Sequence, residues 1–148
     1  MILRQFIEND RAEVIALWTL CGLTRPQNNP SRDIDRKINE NPRYIFIAEC
    51  DAKIVGTIMV GYDGHRGWLN YLAVHPEYRR RGIATKMIDE AKRALMELGC
   101  PKINLQVRSS NINAKMFYKS IGFVEDDVVS FGMRLTYEEE TYDVQDKP

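Results

Sequence analysis

The stretch from Leu72 to Ala91, LAVHPEYRRRGIATKMIDEA, joins the end of a strand-like run to the start of a helical pattern. Between the two stand three consecutive arginines, Arg79–Arg81, followed by Gly82. Adjacent guanidinium groups repel one another, whereas the first turn of a helix offers unpaired N–H groups and a positive dipole end. The combination predicts a site for a polyanionic ligand, and a solvated basic corner is the alternative.

Chain length and charge balance limit the classes of protein to which this sequence can belong. The chain has 148 residues, 44% of them apolar, with 21 basic and 21 acidic side chains. We therefore expect a single domain over residues 1–148, with a frayed acidic tail from about 137 to 148. The balanced charge, without a basic stripe, argues against a nucleic-acid partner. The lack of a long apolar run or leader pattern predicts a cytoplasmic protein with no membrane partner.

Cysteine and histidine usage argues against metal and redox chemistry. Cys21, Cys50 and Cys100 are odd in number and lack the spacing of a CxxC or zinc site. His65 and His75 are separated by a predicted strand. We expect three free thiols and no metal site.

Apolar periodicity predicts an alternation of strands and helices. The predicted order is a strand at 2–6, a helix from a cap at Asn9 or Asp10 with Glu13 to Cys21, a helix at 31–39, strands at 43–50, 53–62 and 67–74, a helix from about Arg80 to Leu98, a strand at 102–107, a helix at 111–122, and one bent or two short strands at 123–135.

The central part of this order forms a strand, helix, strand unit. A helical crossover between the strands at 67–74 and 102–107 requires them to be parallel, whereas the earlier strands form an antiparallel meander. The sheet is therefore predicted to be mixed. The arginines and Gly82 lie at the carboxyl end of the first strand of this unit, where open α/β sheets bind ligands.

The glycine pattern narrows the ligand. The segment lacks both the GxxxxGK[ST] pattern of a nucleotide phosphate loop and the GxGxxG pattern of a dinucleotide loop. It has instead R-x-x-G-x-A, formed by Arg79, Gly82 and Ala84. This resembles the GNAT superfamily of acyl-CoA-dependent N-acyltransferases, whose pyrophosphate-binding motif is [QR]-x-x-G-x-[GA] at the start of the central helix.

Two further signatures extend the resemblance. A strand ending L-x-V-x-P precedes the motif in that family, and Leu72, Val74 and Pro76 supply it here. The family also shows a spaced set of residues on the next short helix, matched by Asn111, Ala114, Tyr118, Gly122 and Phe123. The element order is similar over nearly the whole chain. The RPQNNP and GYDGHRG stretches resemble small bacterial acetyltransferases of the YpeA type.

The resemblance implies an α+β fold with α/β/α layers. Its central sheet is mixed and mostly antiparallel, with a splayed parallel strand pair and flanking helices. It implies acetyl-CoA as cosubstrate, no metal, and a primary amine of a small molecule, protein or peptide as acceptor. The amine attacks directly in a ternary complex, and copies of the chain pair as a homodimer. The alternative is a CoA-binding regulatory or scaffold module without turnover.

The resemblance also implies roles for individual residues. Tyr118 is the acid that protonates the departing thiolate, and a strand N–H near Leu72 polarises the thioester carbonyl. Asn111 contacts the pantetheine arm or caps its helix. The residues expected to bind the cosubstrate are Leu72, Ala73, Val74, Arg79, Arg80, Arg81, Gly82, Ile83, Ala84, Thr85, Asn111 and Tyr118.

The acceptor side is less defined. Arg25 and Asn28 lie in the inter-helix loop that often lines this side of the fold, although a surface loop needs no such function. Asp63 and His65 precede the strand that holds the thioester and are the remaining candidates for binding the acceptor. Asp63-Gly64 is also a strong hairpin-turn signal. No residue is assigned as the general base.

Overall fold

The computed structural model describes residues 1–137, so the predicted tail lies outside the described residues except for Tyr137. In chain order the elements are β1 (Ile2–Gln5), α1 (Arg11–Leu20), α2 (Pro30–Glu40), β2 (Ile45–Cys50), β3 (Lys53–Tyr62), β4 (Gly67–Val74), α3 (Ile83–Glu97), β5 (Ile103–Asn104) and α4 (Ile112–Ser120).

The strands form one five-stranded sheet in the order β1-β2-β3-β4-β5. Neighbouring strands from β1 to β4 are antiparallel, and β4 pairs with β5 in parallel. The crossover through α3 requires that parallel pair. The mixed, mostly antiparallel sheet of the predicted α+β fold is confirmed.

The helices cover both faces of the sheet. Side chains alternate along a strand, so Ile45 and Ile47 of β2 pack in one core cluster with α1 and α2. Phe46 and Ala48 of the same strand pack in the other cluster with α3, and α4 lies against that cluster. The sheet therefore presents one face to each helical layer.

Helix starts differ from the predicted ones for local reasons. Asp10 is the N-cap residue of α1, as predicted, but its carboxylate does not cap the helix, because it accepts hydrogen bonds from Arg4 and from the Ile7 N–H. The Glu13 carboxylate instead accepts the Ile54 N–H at 2.6 Å. The helix α3 begins at Ile83 rather than near residue 80, because the turn before it has a non-helical backbone.

The region after α3 contains less strand than predicted. The predicted strand at 102–107 is limited to Ile103–Asn104, because β5 diverges from β4 beyond Trp68. The strands predicted at 123–135 are wrong, since no strand is formed there. Side-chain hydrogen bonds from Lys102 to Asp126 and from Gln106 to Ser130, both 2.7 Å, hold this segment beside β5 without a backbone ladder.

Two further observations concern residues 1–137. Cys21, Cys50 and Cys100 are all free thiols, as predicted. No helix within this range is long and apolar enough to cross a bilayer.

Candidate active site

The turn before α3 presents backbone N–H groups to solvent. We call residues 79–85 the arginine–glycine turn. Arg80 and Gly82 both have left-handed backbones, with φ of +63° and +76°. Gly82 is the residue before the first helical position, and no side chain caps the helix there. Left-handed residues at a helix start form a concave arrangement of N–H groups that suits an anion.

The space around Gly82 is open. A Cβ built on this residue would meet no atom within 4 Å. Ile83 is buried against the core, whereas Ala84 and Thr85 are only partly covered, so the first turn of α3 faces outward along one side. The backbone can therefore be approached closely by a phosphate group.

The three arginines divide between structural and free roles. The Arg79 Nε donates to the Val74 carbonyl at 3.1 Å and so fixes the turn to the end of β4. The Arg81 guanidinium lies 4.9 Å from the centre of the Tyr78 ring. Arg80 and Arg81 are exposed, and within residues 1–137 neither forms an ion pair. Their charge is available to a ligand.

A bulge interrupts β4 just before this turn. The register with β3 passes from Thr57–Ala73 to Met59–Asn70, so Tyr71 and Leu72 together oppose one residue. Tyr71 has a left-handed φ of +51°, which is unusual for an aromatic residue. The bulge places the Leu72 backbone outside the regular ladder.

A buried hydrogen-bond chain holds the bulge in place. The Thr57 hydroxyl accepts the Trp18 indole N–H at 2.8 Å and donates to the Tyr71 carbonyl at 2.9 Å. The rings of Trp18 and Tyr71 stack with centroids 3.8 Å apart. Both Thr57 and Trp18 are fully buried, so losing this chain would leave polar groups unsatisfied.

The two parallel strands separate before β4 reaches its bulge. β4 and β5 pair only at Gly67–Ile103 and Trp68–Asn104. Within residues 1–137, the rest of β4 therefore has no strand on its β5 side. The Leu72 and Val74 side chains pack against the α3 core, whereas Ala73 is buried on the opposite face. The separation leaves an extended backbone open to an elongated ligand.

Tyr118 lies on α4, against the α3 side of the core. Its ring meets Phe117 and Phe123 edge-on, with centroids 5.2 and 5.5 Å away. Burial raises the pKa of its phenol to about 12. The hydroxyl is thus held protonated at neutral pH, as a proton donor requires.

Asn111 has a structural role at the start of α4. Its Oδ1 accepts the Ala114 N–H at 3.1 Å, which caps the helix. Capping is one of the two roles expected of this residue. Its contact with a cosubstrate remains a prediction.

A cleft of about 630 Å³ lies on the opposite side of the bulge from α3. We call it the acceptor cleft. The cleft is lined by Arg25 and Asn28, whose role on the acceptor side stays a prediction. Its other lining residues were not singled out from the sequence and are Gly22, Leu23, Asp33, Arg36, Lys37, Glu40, Met59, Asn70, Tyr71 and Arg108.

The carboxylates of this cleft are already engaged. Asp33 pairs with Arg36 at 2.7 Å and accepts the Tyr71 hydroxyl at 2.5 Å. Glu40 pairs at 2.7 Å with the Lys37 ammonium, whose side chain is largely buried. The Tyr71 side chain thus connects the β4 bulge to the floor of the cleft.

Asp63 and His65 lie elsewhere. They are exposed in the β3–β4 turn and do not line the acceptor cleft. The Asp63 carboxylate accepts the Arg66 N–H at 2.7 Å and the His65 N–H at 2.8 Å. These backbone bonds lower its pKa, the Arg66 bond most. The geometry favours the turn role, and acceptor binding by these two residues stays a prediction.

Comparison with known proteins adds to this geometry. Residues 11–123 match the family model described as Acetyltransferase (GNAT) family. The chain is 45% identical over 141 residues to acetyltransferase SG1711 of Sodalis glossinidius (strain morsitans), covering 95% of this chain and 99% of that protein. It is 43% identical over 140 residues to an acetyltransferase of Yersinia pestis (strain Pestoides F), with coverage of 95% and 99%.

A solved structure with a similar fold is AAC(6')-Iy in complex with the bisubstrate analog CoA-S-monomethyl-acetylneamine. The TM-score is 0.74 with 19% identity, covering 91% of this chain and 98% of that chain. At this identity the likeness concerns the fold.

Proposed function

Because the chain belongs to the acetyltransferase (GNAT) family and is an acyltransferase, we propose that it moves an acetyl group from acetyl-CoA to a primary amine. The observation that carries the proposal is the arginine–glycine turn: an uncapped helix start with two left-handed residues, beside strands that separate. This arrangement suits a diphosphate followed by an extended arm.

The residues of the turn fit the phosphate groups of this cosubstrate. The N–H groups from Arg81 to Thr85 would donate hydrogen bonds to the diphosphate, and the guanidinium groups of Arg80 and Arg81 would add charge-assisted bonds. Arg79 would act mainly by fixing the turn through the Val74 carbonyl. The backbone of Leu72, Ala73 and Val74 would pair with the pantetheine arm in the manner of an added strand.

The bulge would place a backbone donor at the reacting carbonyl. The Leu72 N–H lies outside the regular ladder with β3, where it can polarise the thioester oxygen. As the amine nitrogen bonds to the carbonyl carbon, negative charge develops on that oxygen. A donor in this position is worth about 2.7–4 kcal/mol in other acyl transfers.

Tyr118 would complete the transfer as the acid. The carbon–sulfur bond breaks, the thiolate takes the phenolic proton, and the products are an amide and CoA with a free thiol. A phenol with a pKa of about 12 keeps its proton at neutral pH until the thiolate departs. The phenolate left behind then takes up a proton from solvent. The amine must be neutral to attack, and its proton leaves to solvent, since both carboxylates of the acceptor cleft are ion-paired.

An amine-dependent thiol-release assay tests the proposal. Protein freed of copurified CoA is incubated with acetyl-CoA and a panel of amines, and free thiol is followed with time. We expect at least one amine to accelerate release well above hydrolysis, with a matching acetylated product by mass spectrometry. Binding of acetyl-CoA without release for any amine would indicate a binding module instead. No binding at all would contradict both.

A further inference from the structure

The acceptor cleft carries an excess of positive charge. Among the residues that the structure describes, four cationic side chains line it against two carboxylates, Asp33 and Glu40. Each carboxylate is matched by a cation on its own helix: Asp33 by Arg36 and Glu40 by Lys37, both at 2.7 Å. The internal pairs therefore cancel, and the excess resides on the other two cations of the cleft, Arg25 and Arg108.

These two guanidinium groups come from different parts of the chain. Arg25 lies in the loop between α1 and α2, and Arg108 follows β5, beyond the point where β4 and β5 separate. Within residues 1–137 neither forms an ion pair. A third guanidinium, of Arg134, donates to the Asn28 side chain at 2.7 Å and so stands at the same rim.

Such a cleft repels cations. An amine that enters as an ammonium ion, with no negative group, adds a positive charge to a surface already positive. An acceptor with a carboxylate beside its amine brings the opposite charge, and a planar guanidinium binds a carboxylate through two parallel hydrogen bonds. Polyamines and aminoglycosides are polycations and fit this charge pattern poorly.

We propose that the acceptor is an amine bearing a carboxylate, such as an α-amino acid, and that Arg25 and Arg108 form the subsite for that carboxylate. This inference rests on the proposed function, because it names the acceptor class of the same transfer. The amine would then face the β4 bulge, since Asn70 and Tyr71 form the cleft wall next to Leu72.

Matched acceptors test the charge requirement. Free α-amino acids are compared with their carboxamides, which keep the amine and side chain and lose only the carboxylate, and with spermidine and neamine. The carboxamide lacks the negative charge, and its amine is also less basic. A larger fraction of that amine is therefore neutral and able to attack at neutral pH. We nevertheless expect kcat/KM to be at least about tenfold higher for the amino acid. Equal or better use of the carboxamides or polycations overturns the inference.

Variants locate the subsite. Arg25→Ala and Arg108→Ala should each reduce kcat/KM for amino acids by about tenfold or more. Each should also reduce the preference for amino acids over their carboxamides. Arg32→Ala is the control, because Arg32 is exposed on α2 and does not line the cleft. The KM for acetyl-CoA should stay within about twofold in all three. A raised KM for acetyl-CoA instead would assign these charges to the cosubstrate and overturn the inference.

A binding measurement separates this inference from the transfer itself. With CoA present, N-acetylated amino acids should raise the Tm of the wild-type protein more than N-acetylated amino-acid carboxamides do. The double variant Arg25→Ala/Arg108→Ala should lose the difference. A carboxylate-dependent shift without turnover would reject the transfer and keep the anion subsite. Turnover without any carboxylate dependence would support the transfer and reject the anion subsite.

Discussion

The arginine–glycine turn and the acceptor cleft flank the same bulge of β4, yet they are constructed differently. The turn is one run of seven residues, 79–85, and it offers backbone N–H groups held by left-handed residues. The cleft joins side chains from α1–α2, β3, β4 and the segment after β5. The turn therefore depends on backbone conformation, and the cleft depends on side-chain charge. Changes in the first should affect CoA binding, and changes in the second should affect acceptor choice.

The largest expected effect concerns the hydroxyl of Tyr118, which is proposed to act in the transfer step itself. Tyr118→Phe removes only the hydroxyl and keeps the edge-on contacts with Phe117 and Phe123. We expect kcat in the thiol-release assay to fall by about 10²–10⁴, with the KM of both substrates within a few-fold. Tyr62→Phe, at the partly buried end of β3, is the control and should leave kcat unchanged.

The pH profile sharpens this prediction. A phenol whose pKa is raised to about 12 remains protonated at a pH where a tyrosine with the usual pKa of about 10 loses its proton. The wild-type kcat should therefore not decline from about pH 8 to pH 10.5, whereas an ordinary tyrosine acid would lose activity there. A decline centred near pH 10 would contradict the raised pKa of Tyr118, whereas equal kcat for the wild type and Tyr118→Phe across the range would remove Tyr118 from the reaction.

The next effect separates the arginine–glycine turn from the rest of α3. Gly82 and Gly99 lie at opposite ends of this helix with φ of +76° and +77°, and a Cβ on either meets nothing within 4 Å. Valine at each position should bring a similar backbone strain and a similar loss of Tm. Only Gly82→Val also places a branched side chain before the N–H groups of the helix start.

Calorimetric titration with CoA distinguishes the two variants. We expect Kd to rise by about a hundredfold for Gly82→Val, because several charge-assisted hydrogen bonds are obstructed, and to stay near the wild-type value for Gly99→Val. Equal affinities for both would place the phosphate site away from the arginine–glycine turn.

A smaller effect concerns the bulge shared by both regions. Thr57→Val keeps the shape of the side chain but removes the hydroxyl between Trp18 and Tyr71. The free energy of unfolding should fall by about 1–3 kcal/mol. Because the Leu72 N–H would shift, kcat should fall by about tenfold. Thr57→Ser keeps the hydroxyl and should restore most of kcat, and its failure to do so would separate the bulge from catalysis.

The smallest effect is expected at Asp63. Asp63→Ala removes the acceptor of the His65 and Arg66 N–H bonds, so the hairpin turn should lose a little stability. Since this carboxylate lies outside the acceptor cleft, the KM for the acceptor should change by less than about twofold. A large rise in that KM would instead indicate that the β3–β4 turn contributes to acceptor binding.

The contrast between the arginine–glycine turn and the acceptor cleft also explains which site residues could be predicted from the sequence. The arginine–glycine turn is contiguous, so its residues were identifiable from Arg79, Gly82 and Ala84 alone. Arg108 and Asp33 were missed because their approach to Arg25 depends on the folded sheet and no spacing signals it. Tyr71 was missed because a left-handed bulge residue is normally a glycine or asparagine.

The missing strands at 123–135 have a related cause. Alternating apolar residues predicted pairing there, but a strand also needs a neighbouring edge at ladder distance. The segment is attached to β5 by side chains, and Phe131 is 95% exposed. Periodicity identifies a residue pattern, whereas the available partner decides whether the pattern becomes a strand.

The most direct test of the account is a crystal structure of the protein with CoA. We expect the diphosphate oxygens about 3 Å from the N–H groups of Ile83, Ala84 and Thr85, the pantetheine arm along Leu72–Val74 between the separated strands, and the sulfur facing the Tyr118 hydroxyl. The acceptor cleft should stay open on the far side of the bulge. CoA bound within the cleft, with its phosphates on Arg25 and Arg108, would contradict the account.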